Sequence, residues 1–178
     1  MKFCVKDKKK AFWYLGFMVM YFGFQGLVSF GVVMLPTDLF FTNRTASLPR
    51  GIYMAVPMGD LKVGDLVRVD VPESMKEYAF GRGWMEPGEM LLKKVGATRG
   101  TVYHVDDQNF EIAGRYIGPI YDVDSKGREM PKLRGDFIVK EGHFLPVADF
   151  SKNSFDGRYF GDVPVSLVRG KVVAIWTE

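Results

Sequence analysis

The stretch LVRVDV, residues 66–71, alternates valines with other side chains and indicates how the body of the chain folds. Successive side chains of a β-strand point to opposite faces of a sheet. The three valines would therefore share one face, and Leu66, Arg68 and Asp70 would share the other. This alternation predicts a strand with an apolar face in a core and a polar face toward water.

Other short apolar runs follow, separated by turn-forming pairs such as Gly59-Asp60, Gly64-Asp65 and Pro87-Gly88. The predicted strands span residues 51–56, 66–71, 90–95, 101–105, 109–112, 137–139, 144–147 and 171–176. Helix signals are weak throughout this body. We therefore predict a mainly β fold whose coiled antiparallel strands close into a barrel-like unit. Residues 114–135 are polar and irregular, and they suggest an insertion with its own hairpin.

Upstream of this body, residues 11–35 form a run of 25 residues without a charged side chain. A helix of about 20 apolar residues spans the hydrocarbon core of a bilayer. The run is too long for the core of a cleavable signal, and no small-residue cleavage site follows it. We therefore predict an uncleaved transmembrane signal anchor. The alternative is a buried helix of a soluble protein.

The lysine cluster beside this run sets the predicted orientation. By the positive-inside rule, residues 1–10 form a cytoplasmic tail and residues 36–178 form a domain across the membrane. The compartment that fits is a bacterial periplasm, with the chain held as a single-pass protein of the inner membrane.

The charge distribution and the scarce ligand residues exclude several functions. Residues 1–10 carry a net charge of +4, so the rest of the chain is close to neutral at −1 and offers no basic face for nucleic acid. Cys4 is the single cysteine, and His104 and His143 are the only histidines. Neither a disulfide nor a zinc motif fits this pattern, and we expect no metal or cofactor.

Ser47 lies in the stretch TASLPRGIY, residues 45–53, and raises the question of a base. A serine hydroxyl becomes a nucleophile only when a base takes its proton. With histidine scarce, the candidates are carboxylates and lysines, and a lysine must be buried to be neutral. Lys93 and Lys94 sit in a predicted strand whose alternation would send one lysine into the core. An edge-strand lysine that discourages aggregation is the alternative.

Four stretches, in order, resemble the motifs of the type I signal peptidases, above all their conjugative-transfer (TraF-type) branch. TASLPRGIY resembles the nucleophile motif, and residues 63–72, VGDLVRVDVP, resemble the strand motif that follows it. Residues 91–100, LLKKVGATRG, resemble the general-base motif, and residues 153–164, NSFDGRYFGDVP, resemble the last motif. The resemblance covers nearly the whole chain and includes the N-terminal anchor.

The resemblance implies a role for each matched residue. Ser47 takes the nucleophile position. Alignment on Gly100 puts the base on Lys93, with Lys94 where the family usually has arginine. The hydroxyl of Thr45, together with the backbone N–H of Ser47, would bind the oxyanion. Ser154 matches a serine that orients the lysine, and Asp156 and Arg158 match a supporting pair.

Some positions depart from the family pattern. Leu48 replaces a usual methionine, residues 99–101 read Arg-Gly-Thr where Pro-Gly-Asp is usual, and Gly157 replaces a serine. No catalytic group is lost, and the departures fit the plasmid-transfer branch better than a housekeeping enzyme.

The resemblance implies a membrane-anchored serine endopeptidase that cleaves an exported precursor, with a conjugative propilin as the expected partner and membrane lipid around the anchor. The residues do not distinguish hydrolysis from head-to-tail cyclisation. The alternatives are a non-catalytic assembly factor on a peptidase-like scaffold, a general leader peptidase and a self-cleaving Ser/Lys protease of the repressor type. The anchor argues against the last.

Overall fold

A computed structural model describes residues 8–29, 39–43 and 47–178 of the chain. The chain divides into two compact units, Met1–Leu39 and Phe40–Glu178. The first unit contains helix α1 (Lys8–Ser29). Among the described residues, no helix is both long and apolar enough to cross a membrane. The predicted anchor extends beyond α1 into undescribed residues, and it stays a prediction.

The second unit is built from short antiparallel strands and very little helix. The strands are β1 (Phe40–Asn43), β2 (Gly51–Val56), β3 (Leu66–Val69), β4 (Leu91–Thr98), β5 (Val102–Val105), β6 (Asn109–Ile112), β7 (Arg115–Pro119), β8 (Gly135–Ile138), β9 (His143–Val147), β10 (Val163–Pro164) and β11 (Val168–Thr177). Helix α2 (Gly157–Phe160) is one turn long. Short helical turns occupy Glu73–Met75, Glu77–Gly81 and Val165–Leu167.

The strands form two antiparallel sheets. The larger has the order β1-β2-β11-β3-β4-β9-β10, and the smaller has the order β7-β6-β5-β8. The prediction of a mainly β fold is confirmed. In place of a single barrel-like unit, the described strands form two sheets, whose outermost strands are β1 and β10 in the larger and β7 and β8 in the smaller.

Strand β3 shows why these sequences form these sheets. Val67 and Val69 are 0% and 1% exposed, whereas Leu66 and Arg68 are only partly covered, so the alternation of the sequence is the alternation of burial. Each fully buried valine contributes about 1.5–3 kcal/mol through apolar area removed from water. Strand β11 pairs with both β2 and β3 and carries a bulge in each pairing, which lets one long strand join the two.

The smaller sheet packs on the β4–β9 end of the larger one. Their shared core joins Ala97 of β4 and Leu145 of β9 to Tyr103 and Phe110 of the smaller sheet. Strand β7 lies inside the predicted insertion 114–135 and pairs with β6 outside it. The start of that stretch therefore belongs to the smaller sheet, and a turn closed by the Val123–Glu129 bridge follows.

Candidate active site

Strand β4 sends its two adjacent lysines to opposite environments. Lys93 pairs with Val67 across the sheet and is only 2% exposed. The side chain of Lys94 is 34% exposed, and its Nζ lies 2.5 Å from the Oδ2 of the exposed Asp149. The strand period of two residues explains the difference, since neighbouring side chains must leave the sheet on opposite sides.

Three side chains from distant parts of the sequence meet at Lys93. Its Nζ donates a hydrogen bond of 2.8 Å to the Oγ of Ser154, and that hydroxyl donates one of 3.3 Å to the Oγ of Ser47. Ser154 is 2% exposed, and it lies just before α2. The ammonium nitrogen and the Ser47 hydroxyl are thus linked through one buried hydroxyl, which we call the Ser154 bridge.

Burial sets the protonation of this lysine. Because the surrounding protein solvates an ammonium poorly, burial lowers the pKa of Lys93 from 10.5 to about 8. The carboxylate of Asp156 opposes this by raising the pKa, and the guanidinium of Arg158 lowers it further. A substantial fraction of Lys93 is therefore neutral at mildly alkaline pH, which is the form that can accept a proton.

Asp156 and Arg158 form a buried ion pair whose charges act on Lys93. Their side chains are 0% and 1% exposed, and the Nε of Arg158 lies 2.8 Å from the Oδ1 of Asp156. Asp156 also caps α2 by accepting from the backbone N–H of Arg158, and it accepts from the N–H of Ala148. The Nη1 of Arg158 donates to the carbonyls of Pro119 and Lys152. The pair therefore ties α2 to β7 and to the chain before Ser154.

The turn that carries Ser47 is held by its neighbours. Leu48 is 3% exposed and packs with Tyr53, Leu92 and Val172. The side-chain amide of Asn43 donates to the carbonyls of Leu48 and Pro49. Thr45, the predicted oxyanion donor, lies outside the described residues, and its role stays a prediction.

A cleft of about 1030 Å³ opens in front of Ser47 and Lys93. The residues that line it include Phe41 and Asn43 of β1 and Leu91 and Leu92 of β4. Other lining residues are aromatic or apolar: Trp84, Met85, Tyr121, Val123, Phe155 and Tyr159. The lining also includes the charged residues Arg68, Glu89 and Asp124, and a mostly apolar cleft with a few polar groups is typical of a ligand site.

Several wall residues escaped prediction because they come from separate parts of the sequence. The ring of Phe155 lies 5.2 Å from that of Trp84 and 6.4 Å from that of Tyr78. Tyr78, Phe80, Trp84 and Met85 are all partly covered, and each of them lies against the core, Phe155 or the cleft.

The family profile described as "Signal peptidase, peptidase S26" matches residues 11–177, so the chain belongs to the S26 signal peptidase family. Within the described residues, no group of three or more His, Cys, Asp or Glu side chains could hold a metal ion.

Its relatives are of the TraF type. The chain is 29% identical over 130 residues to the plasmid transfer protein TraF of Escherichia coli. The aligned region covers 68% of this chain and 73% of that protein. The chain is 29% identical over 177 residues to the conjugal transfer protein TraF of Agrobacterium fabrum, which covers 90% and 96%. A signal peptidase I from Enterococcus faecalis is 20% identical, covers 65% of this chain and 98% of its own, and has a TM-score of 0.38.

Proposed function

We propose that this protein is a membrane-anchored serine endopeptidase that uses Ser47 as nucleophile and Lys93 as base. The observation that carries the proposal is the Ser154 bridge, which links a buried lysine of lowered pKa to a serine at the edge of a cleft. Membership of the S26 family supports a peptidase activity. The exposed ion pair of Lys94 with Asp149 supports the choice of Lys93 as base.

The mechanism follows from the protonation of Lys93. With Lys93 neutral, Ser154 donates to the lone pair of Nζ and accepts from the Oγ of Ser47, so the serine proton passes along the bridge to lysine. Ser47 then attacks the scissile carbonyl to form a tetrahedral intermediate. Its C–N bond breaks as the protonated lysine gives its proton to the leaving amine, which leaves an acyl-enzyme and neutral lysine. Lysine then takes a proton from the attacking water and returns it to the Oγ of Ser47 as the carboxylic acid departs.

The oxyanion needs donors near Ser47. We assign this role to the hydroxyl of Thr45 and the backbone N–H of Ser47, on the resemblance to the nucleophile motif. Each such donor typically contributes about 10²–10³ in rate. Asp156 and Arg158 take the supporting role, because their buried contacts fix the segment that carries Ser154.

The substrate is proposed to be an exported precursor at the membrane face. The uncharged run 11–35 ends only eleven or twelve residues before Ser47, which limits the separation to about 40 Å even for an extended chain. The large side chains of α1 from Phe12 to Phe24 are exposed apolar groups, which supports lipid as their surroundings. We therefore place the catalytic domain on the periplasmic side of a bacterial inner membrane, anchored by residues 11–35.

The likeness to two proteins named for plasmid and conjugal transfer supports a substrate in conjugation. We propose maturation of a conjugative propilin. The same acyl-enzyme would yield a cyclic pilin if the amino terminus of the pilin attacked it in place of water. Mass spectrometry of a pilin co-expressed with the full chain distinguishes the two, because a cyclic product is lighter than the linear one by one water.

The dyad is tested by substitution in the full membrane chain. Ser47→Ala and Lys93→Ala should each abolish processing of the propilin, and Lys94→Ala should retain it. Immunoblotting of the membrane fraction checks that each variant is still present. Processing by Lys93→Ala with loss in Lys94→Ala would reverse the assignment of the base, and processing by both lysine variants would contradict the dyad.

A non-catalytic assembly factor on the same scaffold makes a different prediction. It would support pilus assembly when Ser47 is replaced by alanine, and it would form no acyl-enzyme. A general leader peptidase would instead cleave many exported precursors. Comparison of processed proteins in the membrane fraction, with and without the chain, separates that role from a dedicated one.

A further inference from the structure

Side-chain hydrogen bonds from β1 and β2 hold the backbone directly after Ser47. Asn43 and Gly51 are register partners at the end of the β1–β2 pairing, and Ser47 lies in the seven-residue connection between them. Hairpin loops usually have two to five residues. A longer loop needs contacts of its own if a side chain at its centre is to keep one position.

Asn43 supplies such contacts from the last residue of β1. It is 7% exposed, and its Nδ2 lies 3.0 Å from the carbonyl oxygen of Leu48 and 3.1 Å from that of Pro49. A side-chain amide nitrogen has two N–H donors. Two carbonyls directly after Ser47 are therefore tied to the end of β1 by one side chain.

Tyr53 binds the same turn from the opposite strand. Its hydroxyl donates a hydrogen bond of 2.7 Å to the carbonyl of Pro49, and the residue is 1% exposed. Burial raises the pKa of this phenol, so it remains a donor at neutral pH. Its ring stacks on Phe41 at 5.8 Å, which fixes the hydroxyl in place.

We propose that Asn43 and Tyr53 are positioning residues that hold the Leu48–Pro49 turn and thereby keep the Oγ of Ser47 at the Ser154 bridge. The inference rests on the proposed function, and neither residue touches the reacting atoms in it. A misplacement of about 1 Å at a reacting group can cost about 10² in rate. Loss of the tie should therefore reduce kcat while substrate binding in the cleft persists.

The test measures kcat and KM for a propilin-derived peptide with the full chain in detergent. We expect Asn43→Ala to lower kcat about 10–100-fold. Because Asn43 also lines the cleft, the KM readout uses the buried Tyr53: Tyr53→Phe should lower kcat about 3–10-fold with KM within about threefold of the original. Because both side chains bind the carbonyl of Pro49, the fold-decrease in kcat of the double variant should be smaller than the product of the two single fold-decreases.

The control is Asn109→Ala. In the smaller sheet the side-chain amide of Asn109 donates a hydrogen bond to the carboxylate of Asp106, and the substitution removes that bond far from Ser47 in the sequence. It should leave kcat unchanged. A kcat for Asn43→Ala within twofold of the original, or an equal loss in Asn109→Ala, would overturn the proposal. Should Asn43→Ala fail to fold, Tyr53→Phe keeps the buried ring and carries the test alone.

Hydrogen exchange separates this inference from the proposed function. We expect the amides of residues 44–52 to exchange faster in Asn43→Ala than in the original chain, whatever the activity. Faster exchange with unchanged kcat overturns the positioning role and leaves the peptidase intact. Undiminished activity of Ser47→Ala overturns the peptidase mechanism, whereas the exchange result for the loop stands.

Discussion

Lys93 and Lys94 are neighbours in β4, yet the ammonium of Lys93 is buried against Ser154, whereas that of Lys94 pairs with Asp149 at the surface. Burial disfavours the charged form, and a partly exposed carboxylate pair leaves it in contact with water. The consequences of this difference can be measured separately for stability and for catalysis.

The buried ammonium should cost folding stability. The unfolded chain has a lysine pKa near 10.5 and the folded one near 8, so the unfolded state binds more protons between these pH values. The penalty is complete below pH 8 and disappears as pH rises to 10.5. At about 1.4 kcal/mol per tenfold change, it amounts to about 3 kcal/mol before the hydrogen bond to Ser154 is counted.

We therefore expect Lys93→Met to raise the free energy of unfolding at pH 7 by about 1–3 kcal/mol while it abolishes activity. Denaturant unfolding of the full chain in detergent, repeated at several pH values, measures the gain and its decline toward pH 10.5. Lys94→Met is the matched control and should change stability by less than about 1 kcal/mol. A destabilised Lys93→Met at pH 7 would contradict the assigned penalty.

The pH dependence of catalysis follows from the same group. In the proposed mechanism only neutral Lys93 accepts the proton of Ser47, so kcat/KM should rise about tenfold per pH unit at acidic and neutral pH and level off above an apparent pKa of about 8. Initial rates on a propilin-derived peptide across this range measure the profile. Asp149→Asn, which removes the partner of Lys94, should leave the midpoint unchanged. A profile that stays flat from pH 6 to 10 would exclude Lys93 as the base.

Both hydrogen bonds of the Ser154 bridge depend on one atom, the Oγ of Ser154. Ser154→Ala keeps the residue small and buried but breaks both hydrogen bonds, so we expect kcat to fall about 10–100-fold with a folded protein. Single-turnover kinetics should assign the loss to acylation. Ser166→Ala, at an exposed position beside β11, is the control. Unchanged acylation in Ser154→Ala would mean that Lys93 reaches Ser47 without the bridge.

The buried pair should govern stability where the exposed pair does not. Asp156→Ala leaves the guanidinium of Arg158 buried and unpaired, so we expect a loss of about 3–5 kcal/mol in unfolding free energy. Asp149→Ala breaks the exposed pair with Lys94 and should cost less than about 1 kcal/mol. Denaturation of both variants under identical conditions makes the comparison. Equal losses would show that burial of the Asp156–Arg158 pair has no energetic effect.

Periodicity made the strands and the placement of the lysines predictable. The valines of β3 and the two lysines of β4 follow from the two-residue repeat, since that repeat decides which side chains enter the core. Strand β7 was missed because the sequence RYIGP has one exposed arginine, a glycine and a proline, and pairing with β6 outweighs its weak propensity.

Contacts between distant segments could not be predicted from the two-residue repeat, because that repeat describes only neighbouring residues. The cleft wall joins Trp84, Tyr121 and Phe155, and no local pattern reports that these rings meet. The burial of Arg158 likewise depends on the carbonyls of Pro119 and Lys152, which the fold brings to it. No local pattern indicates a structural role for Asn43, because its hydrogen bonds to residues five and six positions later form only when the loop closes.

The three side chains of the Ser154 bridge are synthesised at very different times. Ser154 follows Lys93 by 61 residues and Ser47 by 107, so a nascent chain carries those two side chains long before the hydroxyl that links them. A chain that ends before Ser154 therefore cannot form the bridge, however far its earlier strands have folded.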